Sequence, residues 1–314
     1  LDETTGQPIA GASVVVQDGA GLFVSQYDTE EDGAFRGTLV PGHYSYRIVT
    51  EVRKTSDPED FSIDAGKTTS IRRELAAPGT LSVQVRDEMG RRVPSKITLV
   101  GEFPTANQGQ DPRTFLYDLA VGEAQRATAF DSNRAEFIEK TWYLPDGSLR
   151  VEVRPGDYFV VASRGLEYDV HIAPTRVESG STVERLVALK RGVATNGWIG
   201  ADLHLHAQPS LDSEMSLEDR VASLAGEGLD YVVSTDHNFI TDYLPTIGKL
   251  GLQDWITSSV GLELTTFEMG HFNGYPLKLD PGNVRGGDFV WAGEPPDSLF
   301  AQLRGLGKHG AAGT

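Results

Sequence analysis

The sequence predicts a multidomain protein in which two all-β sandwiches precede an α/β region. Three observations lead to this fold class. Short runs that alternate apolar and polar residues fill the first part of the chain, and this is the pattern of half-buried strands. A block of that sequence recurs farther along the chain. After Arg191 the pattern changes to apolar strands that alternate with helices, which is typical of parallel βα units.

Composition bounds the number of domains and the class of protein. The 314 residues are 39% hydrophobic and 9% aromatic, which predicts two or three globular domains. A net charge of −17 repels a phosphate backbone, so no tight nucleic-acid binding is expected. The chain has no cysteine, which leaves His, Asp and Glu as metal ligands. No run approaches the roughly 18 apolar residues of a transmembrane segment.

Residues 1–78 form the first predicted domain. The segment 44–48 alternates as a strand does, and Asp32-Gly33 and Pro41-Gly42 are strong turn signals. The stretches TGQPIAGASVVVQD and DTEEDGAFRGTLVPGHYSYRI resemble the carboxypeptidase regulatory-like (transthyretin-like) domain. This resemblance implies a small β-sandwich of the kind that is often attached to exported enzymes.

Residues 79–192 form the second predicted domain, because they repeat the closing half of the first. Two tetrapeptides recur at an offset of 114 residues, with 41–44 matching 155–158 and 65–68 matching 179–182. The opening strands, at 7–9 and 92–94, are about 85 residues apart, so the second copy holds roughly 30 extra residues. We therefore predict a second β-sandwich with an insertion within 103–146.

Residues 193–314 form the third predicted domain, in which strands and helices alternate. Strands are expected at 199–206, 229–234 and 258–265, and helices at 242–250 and 297–308. A further helix is expected to begin after Ser216, which is the predicted N-cap, with Asp219 in the capping-box position. The order predicts a βα barrel or a doubly wound sheet. Since a barrel needs roughly 200 residues or more, this stretch is expected to hold only its front part.

Polar residues with metal-binding chemistry follow three of these strands. His204 and His206 stand two apart on a strand, so both imidazoles project from the same face. His237 ends the next strand, Glu263 the one after it, and His271 lies a few residues later. Strand ends of βα units meet at one edge, so a metal site is predicted. The alternative is a set of half-buried histidines bonded to backbone carbonyls.

The ordered motifs HLH, DS, TDHN, GLE and GHFN resemble those of the PHP (polymerase and histidinol phosphatase) superfamily. The resemblance implies an α/β PHP-type distorted (β/α) barrel, truncated here at its C-terminus, that holds two or three divalent metal ions. It implies six ligands in this sequence, which are His204, His206, Asp212, His237, Glu263 and His271. Further ligands are expected beyond Thr314. The octapeptide GHFNGYPL and the preceding β-domains resemble the CehA/McbA branch, which includes carbaryl-hydrolysing enzymes.

This resemblance implies a metal-dependent hydrolase that uses metal-activated water. By family frequency the substrate is expected to be a small-molecule phosphoester, and the metal to be zinc, manganese or iron. Asp236 and Asp202 flank the ligands and are predicted to assist catalysis by orienting imidazoles, although an Asp at a strand end also serves as a backbone cap.

Two other functions stay open from the sequence. The same metal-bound hydroxide could attack an amide, a carbamate or a carboxylic ester, as the carbaryl-hydrolase-like branch suggests. Alternatively, the tandem sandwiches make the protein a surface-binding module, in contact with a cell surface or a glycan, whose barrel is not catalytic. Regulatory-like sandwiches accompany export, so a periplasmic or extracellular location is expected, with the signal sequence absent from the given chain.

Overall fold

The computed structural model describes residues 1–102 and 136–307. These residues form sixteen β-strands and three α-helices, so strands dominate the fold. Most of the insertion predicted within 103–146 lies outside the described residues.

The first repeat, residues 1–78, contains one antiparallel sheet. Its strands are β1 (Ser13–Asp18), β2 (Phe23–Asp28), β3 (Gly42–Val49) and β4 (Glu59–Ile63), in the order β2-β1-β3-β4. Alternation along β1 and β3 puts Val14, Val16, Tyr44 and Tyr46 on one buried face. Phe35, Leu39 and Ile71 pack against that face from segments that form no strand.

The second repeat, residues 79–192, is a β-sandwich of two facing sheets. Its strands are β5 (Gly79–Arg86), β6 (Ser95–Glu102), β7 (Glu136–Leu144), β8 (Ser148–Val153), β9 (Gly156–Ser163), β10 (His171–Val177) and β11 (Thr182–Ala188). One sheet has the order β10-β9-β6-β7 and the other β11-β5-β8. β5 buries Leu81, Val83 and Val85 completely between the sheets.

The C-terminal region begins with a parallel sheet and continues as an antiparallel pair. Its elements are β12 (Ala201–Leu205), α1 (Leu217–Gly226), β13 (Tyr231–Ser234), α2 (Leu244–Lys249), β14 (Thr257–Ser259), β15 (Leu262–Thr266), β16 (Gly270–Gly274) and α3 (Pro296–Gly305). The Oγ of Ser216 accepts a hydrogen bond from the Asp219 amide at 3.0 Å, which confirms the predicted N-cap of α1. The strand and helix positions agree with the sequence pattern within a few residues.

The predicted α/β PHP-type barrel is wrong. In the described part of the chain the parallel sheet has only three strands, β12-β13-β14, and the chain then turns back as the hairpin β15–β16. The expected single strand over 258–265 breaks at Gly261, where a Cβ would lie 2.5 Å from the Ser234 carbonyl oxygen. Alternation of strands and helices is a local signal, whereas closure of a barrel depends on strand number and stagger. The same local pattern therefore suits an open sheet.

The second repeat packs directly on the C-terminal region. The buried Arg164 donates hydrogen bonds to the carbonyls of Pro94, in the sandwich, and Ala225, in α1. Its guanidinium also lies 4.7 Å from the ring centroid of Trp255. Lys96 and Glu227 form an ion pair of 2.6 Å across the same boundary. These contacts hold the parallel sheet in a fixed position against the sandwich.

Within the two described ranges, none of the helices combines the length and the apolar composition that a membrane crossing requires.

Candidate metal centre

The residues of the candidate centre are positioned by neighbouring strand ends. His204 is the fourth residue of β12, and His206 follows that strand directly. Parallel pairing of Leu205 with Ser234 brings the residues after β13, including His237, alongside. A bridge between His237 and Glu263 then connects this edge to β15. Three separate segments therefore meet at one point.

The carboxylate of Glu263 is the centre of the cluster. Its Oε2 lies 3.1 Å from Nε2 of His204, 3.3 Å from Nε2 of His206 and 3.3 Å from Nδ1 of His237. Its Oε1 lies 2.7 Å from Nδ1 of His271, which stands opposite Thr265 on β16. One carboxylate thus contacts four imidazoles.

Asp212 extends the cluster on the solvent side. Its Oδ2 lies 3.2 Å from Nε2 of His237, and its Oδ1 lies 3.7 Å from Nδ1 of His206. The hydroxyl of Ser210 donates to Asp212 at 2.7 Å and accepts from the His237 amide at 3.0 Å. All six ligands predicted from the sequence are therefore brought together.

The pKa values of Glu263 and His206 are both lowered, which favours the charged form of the first and the neutral form of the second. The Glu263 side chain is only 3% exposed. Burial alone would raise the pKa of Glu263, but hydrogen bonds with His204 and His271 outweigh it and hold that pKa below its usual range. Burial lowers the pKa of His206, which favours the neutral imidazole. An ionised carboxylate and a neutral imidazole are the forms in which Glu and His side chains bind a divalent cation.

The geometry fits a metal better than the alternative of structural histidines. Nε2 of His204 and Nε2 of His206 lie 3.2 Å apart and both lie near Oε2 of Glu263, so one cation could take all three atoms as ligands. In the part of the chain that the structure describes, no ring nitrogen of the four clustered histidines bonds a backbone carbonyl. Three overlapping triads have their ligand atoms within 4.8 Å of one another, and these are His204-His206-Glu263, His206-Asp212-His237 and His237-Glu263-His271.

The two residues predicted to be catalytic lie beside the cluster and bond backbone amides. Asp202 accepts a hydrogen bond from the His204 amide at 3.0 Å. Asp236 is fully buried and accepts one from the Ala207 amide at 2.7 Å, and burial raises its pKa. Both carboxylates thus hold the backbone next to a ligand, which is the capping alternative that the sequence left open.

Two contributors to the centre were missed from the sequence, as was an adjoining cavity. Ser210 and Thr265 bond the ring nitrogens of His206 and His237, and only their short spacing from Asp212 and Glu263 could have indicated them. A cavity of about 750 Å³ opens beside the cluster. Its walls include Asp202, His204, His271, Tyr275, Phe300 and Arg304.

Comparison with known proteins finds one family. The model of the carboxypeptidase regulatory-like domain matches residues 1–76, which confirms the resemblance read from the first repeat. No curated protein matches. Among solved structures, the chain is similar to a minor pilin of Streptococcus agalactiae, with 14% identity, a TM-score of 0.33, and coverage of 60% of this chain and 86% of the pilin.

Two further solved structures are similar to this chain over a smaller share of their own length. A streptococcal ancillary pilin shares 11% identity over 62% of this chain and 61% of its own, with a TM-score of 0.34. The TIE protein of Bacillus anthracis shares 13% identity over 60% of this chain, with a TM-score of 0.25, and the match spans 33% of that protein. At these TM-scores the likenesses carry no argument about activity.

The family and activity predicted for the C-terminal region are corrected by these findings. The family model and the structures reported above are not those of PHP metallohydrolases, and the barrel on which that resemblance depends is not formed by the described residues. The predictions of a hydrolase, of its phosphoesterase activity and of a phosphoester substrate are therefore wrong. The catalytic roles of Asp202 and Asp236 belonged to that prediction. The metal ligands depend on their own geometry and remain a prediction.

Proposed function

We propose that this protein is a non-enzymatic, extracellular surface-binding protein whose C-terminal region holds divalent metal ions. Tandem β-domains occupy residues 1–192, and the first of them matches a family model. Along β3 and β5, buried apolar residues alternate with more exposed polar ones, which leaves polar faces for contact with a protein or a cell surface. The metal centre serves the fold of this binding protein in our proposal.

The position of Glu263 carries the metal part of the proposal. A carboxylate that is 3% exposed would be destabilising without compensation. Here it meets nitrogens from four histidines that belong to β12, the loops after β12 and β13, and β16. The donor set of His, Asp and Glu suits zinc, manganese or iron.

The ligands would add side-chain links between segments that backbone hydrogen bonds already join. His204, His206 and Asp212 lie at or after β12, His237 after β13, and Glu263 and His271 in the β15–β16 hairpin. Divalent ions bound by these side chains would supply a link between the parallel sheet and the hairpin. Because no such cluster forms in the unfolded chain, binding free energy would add to the free energy of unfolding of this region.

The test is the metal content of the purified full chain and of its Glu263→Gln variant. Glutamine keeps the size of the side chain and removes the charge that the imidazoles surround. We expect the unaltered chain to retain metal after dialysis and the variant to lose most of it. A chelator should lower the melting temperature of the unaltered chain and leave that of the variant unchanged. Metal at about 100 times its Kd would add about 2.7 kcal/mol to the free energy of unfolding, and the chelator would remove this contribution.

Glu268→Gln is the matched control, because Glu268 is exposed in the turn between β15 and β16 and lies outside the cluster. It should retain the metal content of the unaltered chain. Metal at background level in the unaltered chain would refute the metal centre. Chelator-sensitive turnover of an aryl phosphate or an aryl carbamate would refute the non-enzymatic function, and recovery of the full-length protein only from the cytosol would refute the location.

A further inference from the structure

Helix α1 lies between the candidate metal centre and the second repeat, and its residues contact both. Arg220 is the fourth residue of the helix, and its Nε donates a hydrogen bond to the His206 carbonyl at 2.7 Å. Near the other end of the helix, the Ala225 carbonyl accepts a hydrogen bond from Arg164 of the second repeat at 2.5 Å. One short helix therefore connects a predicted metal ligand with the sandwich.

His206 is the ligand that this connection reaches, and it is shared between parts of the centre. It belongs to two of the three triads, His204-His206-Glu263 and His206-Asp212-His237. It lies one residue after β12, and the Ala207 amide beside it donates to the buried Asp236 carboxylate at 2.7 Å. Metal–ligand distances tolerate only a few tenths of an ångström. The contacts that hold the backbone of His206 therefore decide whether its imidazole can serve both triads.

The second repeat holds the C-terminal end of α1 by close backbone contact. Gly226 is the last residue of the helix, and a Cβ on it would lie 2.9 Å from Cδ1 of Tyr143 in β7 and 3.1 Å from the Ser95 carbonyl oxygen in β6. A Cβ on Gly165, which follows β9, would lie 2.0 Å from the Glu227 carbonyl oxygen. Because glycine at both positions permits this approach, the position of α1 follows that of the sandwich.

Charged and aromatic side chains fix this contact in one geometry. The same nitrogen of the buried Arg164 that bonds Ala225 also donates to the Pro94 carbonyl at 2.8 Å. The Arg164 guanidinium lies 4.7 Å from the ring centroid of Trp255, and that of Arg91 lies 4.4 Å from the same centroid. Trp255 packs against the cores of both the second repeat and the C-terminal region. The two cores are thus joined through one indole.

We propose that the second repeat is a structural part of the metal centre, because it sets the position of His206 through α1 and Arg220. This inference rests on the proposed metal centre and adds the residues that position one of its ligands. Arg164 and Arg220 are positioning residues, since each donates to backbone carbonyls rather than to a metal. Coupling between two sites is reciprocal, so bound metal also stabilises the packing of the second repeat on α1.

The charge of Arg220 separates positioning from simple electrostatics. A guanidinium near a cation site repels the cation, so an effect of charge alone would make removal of Arg220 strengthen metal binding. Positioning predicts the opposite sign, because the His206 carbonyl loses the hydrogen bond that fixes it. The direction of the change in metal affinity therefore distinguishes the two.

The first test measures the Kd of the full chain for Zn²⁺ by competition with a chromogenic chelator. In the Gly226→Ala variant, alanine favours the helix more than glycine does, but its Cβ pushes α1 away from Tyr143. We expect the Kd to rise by at least about threefold. Gly248→Ala is the matched control, because Gly248 lies in α2 and its added Cβ would meet no described atom outside its own helix within 4 Å. This control should leave the Kd unchanged.

The second test replaces Arg220 by the same measurement. We expect Arg220→Met to raise the Kd for Zn²⁺ by about tenfold, which is the usual cost of losing a group that orients a ligand. Arg220→Lys should restore most of the affinity, since its ammonium group can donate to the same carbonyl. Arg176→Met, at an exposed arginine of β10, removes the same charge far from α1 and should leave the Kd unchanged.

The double variant tests the path of the effect. If the sandwich acts on His206 through Arg220, then Gly226→Ala should add nothing to the Kd of Arg220→Met. Additive losses would overturn transmission through Arg220. Gly226→Ala adds one carbon atom to a helix, so it keeps the test valid where Arg220→Met does not fold.

The outcomes also separate this inference from the metal centre itself. Binding of Zn²⁺ with the unaltered Kd in both Gly226→Ala and Arg220→Met would overturn the positioning role and leave the metal centre standing. Tighter binding in Arg220→Met would assign Arg220 an effect of charge and would also overturn that role. Failure of the unaltered chain to bind Zn²⁺ would refute the metal centre, and this inference with it.

Discussion

The first and second repeats share an Asp-Gly turn, at 32–33 and 146–147, and a hydrogen bond from a tyrosine hydroxyl, that of Tyr44 or Tyr158, to a backbone carbonyl. They differ in the size of their cores. The buried core of the second repeat has fifteen members, whereas that of the first has four. Three of the fifteen come from β5, and others, such as Leu149 and Val187, lie on the strands that pair with β5. Strand β5 and the strands that pair with it therefore account for part of the larger core of the second repeat.

Truncating equivalent apolar side chains should give the largest difference between the repeats. Leu149→Ala should lower the free energy of unfolding of the second repeat by about 2–5 kcal/mol, since it removes buried methyl groups and leaves a cavity. Phe35→Ala should cost the first repeat only about 1 kcal/mol, because Phe35 is half-buried and its site stays open.

Urea unfolding measures both values. Trp142 and Trp255 pack against the core of the second repeat, so tryptophan fluorescence reports on it, and hydrogen exchange reports on the first repeat, which has no tryptophan. Equal losses in the two variants would contradict the conclusion that the first repeat has the smaller core.

Substitution of the equivalent turn glycines should give a smaller difference. Both need positive φ, which costs an alanine about 1–2 kcal/mol. A Cβ on Gly147 would also lie 2.8 Å from the carbonyl oxygen of Val85 in β5, whereas a Cβ on Gly33 meets Pro8 Cβ at 2.9 Å. Gly147→Ala should therefore lower the free energy of unfolding by about 2–4 kcal/mol and Gly33→Ala by about 1–2 kcal/mol.

The same urea titrations measure this pair. If the two alanine variants lost equal stability, contact with β5 would not be the cause of the difference, and the backbone of the two turns alone would explain both values.

The acid sensitivity of the Asp2 turn should give the smallest effect. The pKa of Asp2 lies well below its usual range, because its carboxylate accepts hydrogen bonds from the Thr5 amide, the Arg53 guanidinium and the Thr5 hydroxyl. The pKa of an Asp in the unfolded chain is about 3.9. The stabilisation that the lowered pKa of Asp2 provides is therefore complete above that pH and is lost as the pH falls toward the pKa of Asp2 in the folded chain. Asp2→Asn should remove this dependence from the first repeat.

NMR-monitored urea unfolding at about pH 5 and about pH 2.5 checks this prediction. Glu3→Gln, at an exposed position of the same turn, is the control and should keep the dependence. A first repeat whose stability falls equally in the Asp2→Asn and control variants would assign the acid sensitivity to other carboxylates.

Much of the local structure could be predicted from the sequence because its signals are local. The Asp-Gly pair at 32–33 forms a turn, Ser216 caps α1, and the apolar period locates β12, α1 and β13. His204, His206 and His237 come together for a similar reason, since β12 and β13 are parallel, are joined by a helix and end at the same edge.

Strand count and closure depended on the tertiary structure. The sequence around 258–265 reads as one strand, yet the approach of Gly261 to the Ser234 carbonyl divides it, and the chain continues as a hairpin. Likewise, residues 34–39 and 68–74, which lie 114 positions before β8 and β11, form no strands. The sequence by itself determined where the turn at 32–33 and the N-cap of α1 lie, because these depend on near neighbours. The tertiary structure alone decided which segments pair, because a strand exists only where a partner backbone completes its hydrogen bonds.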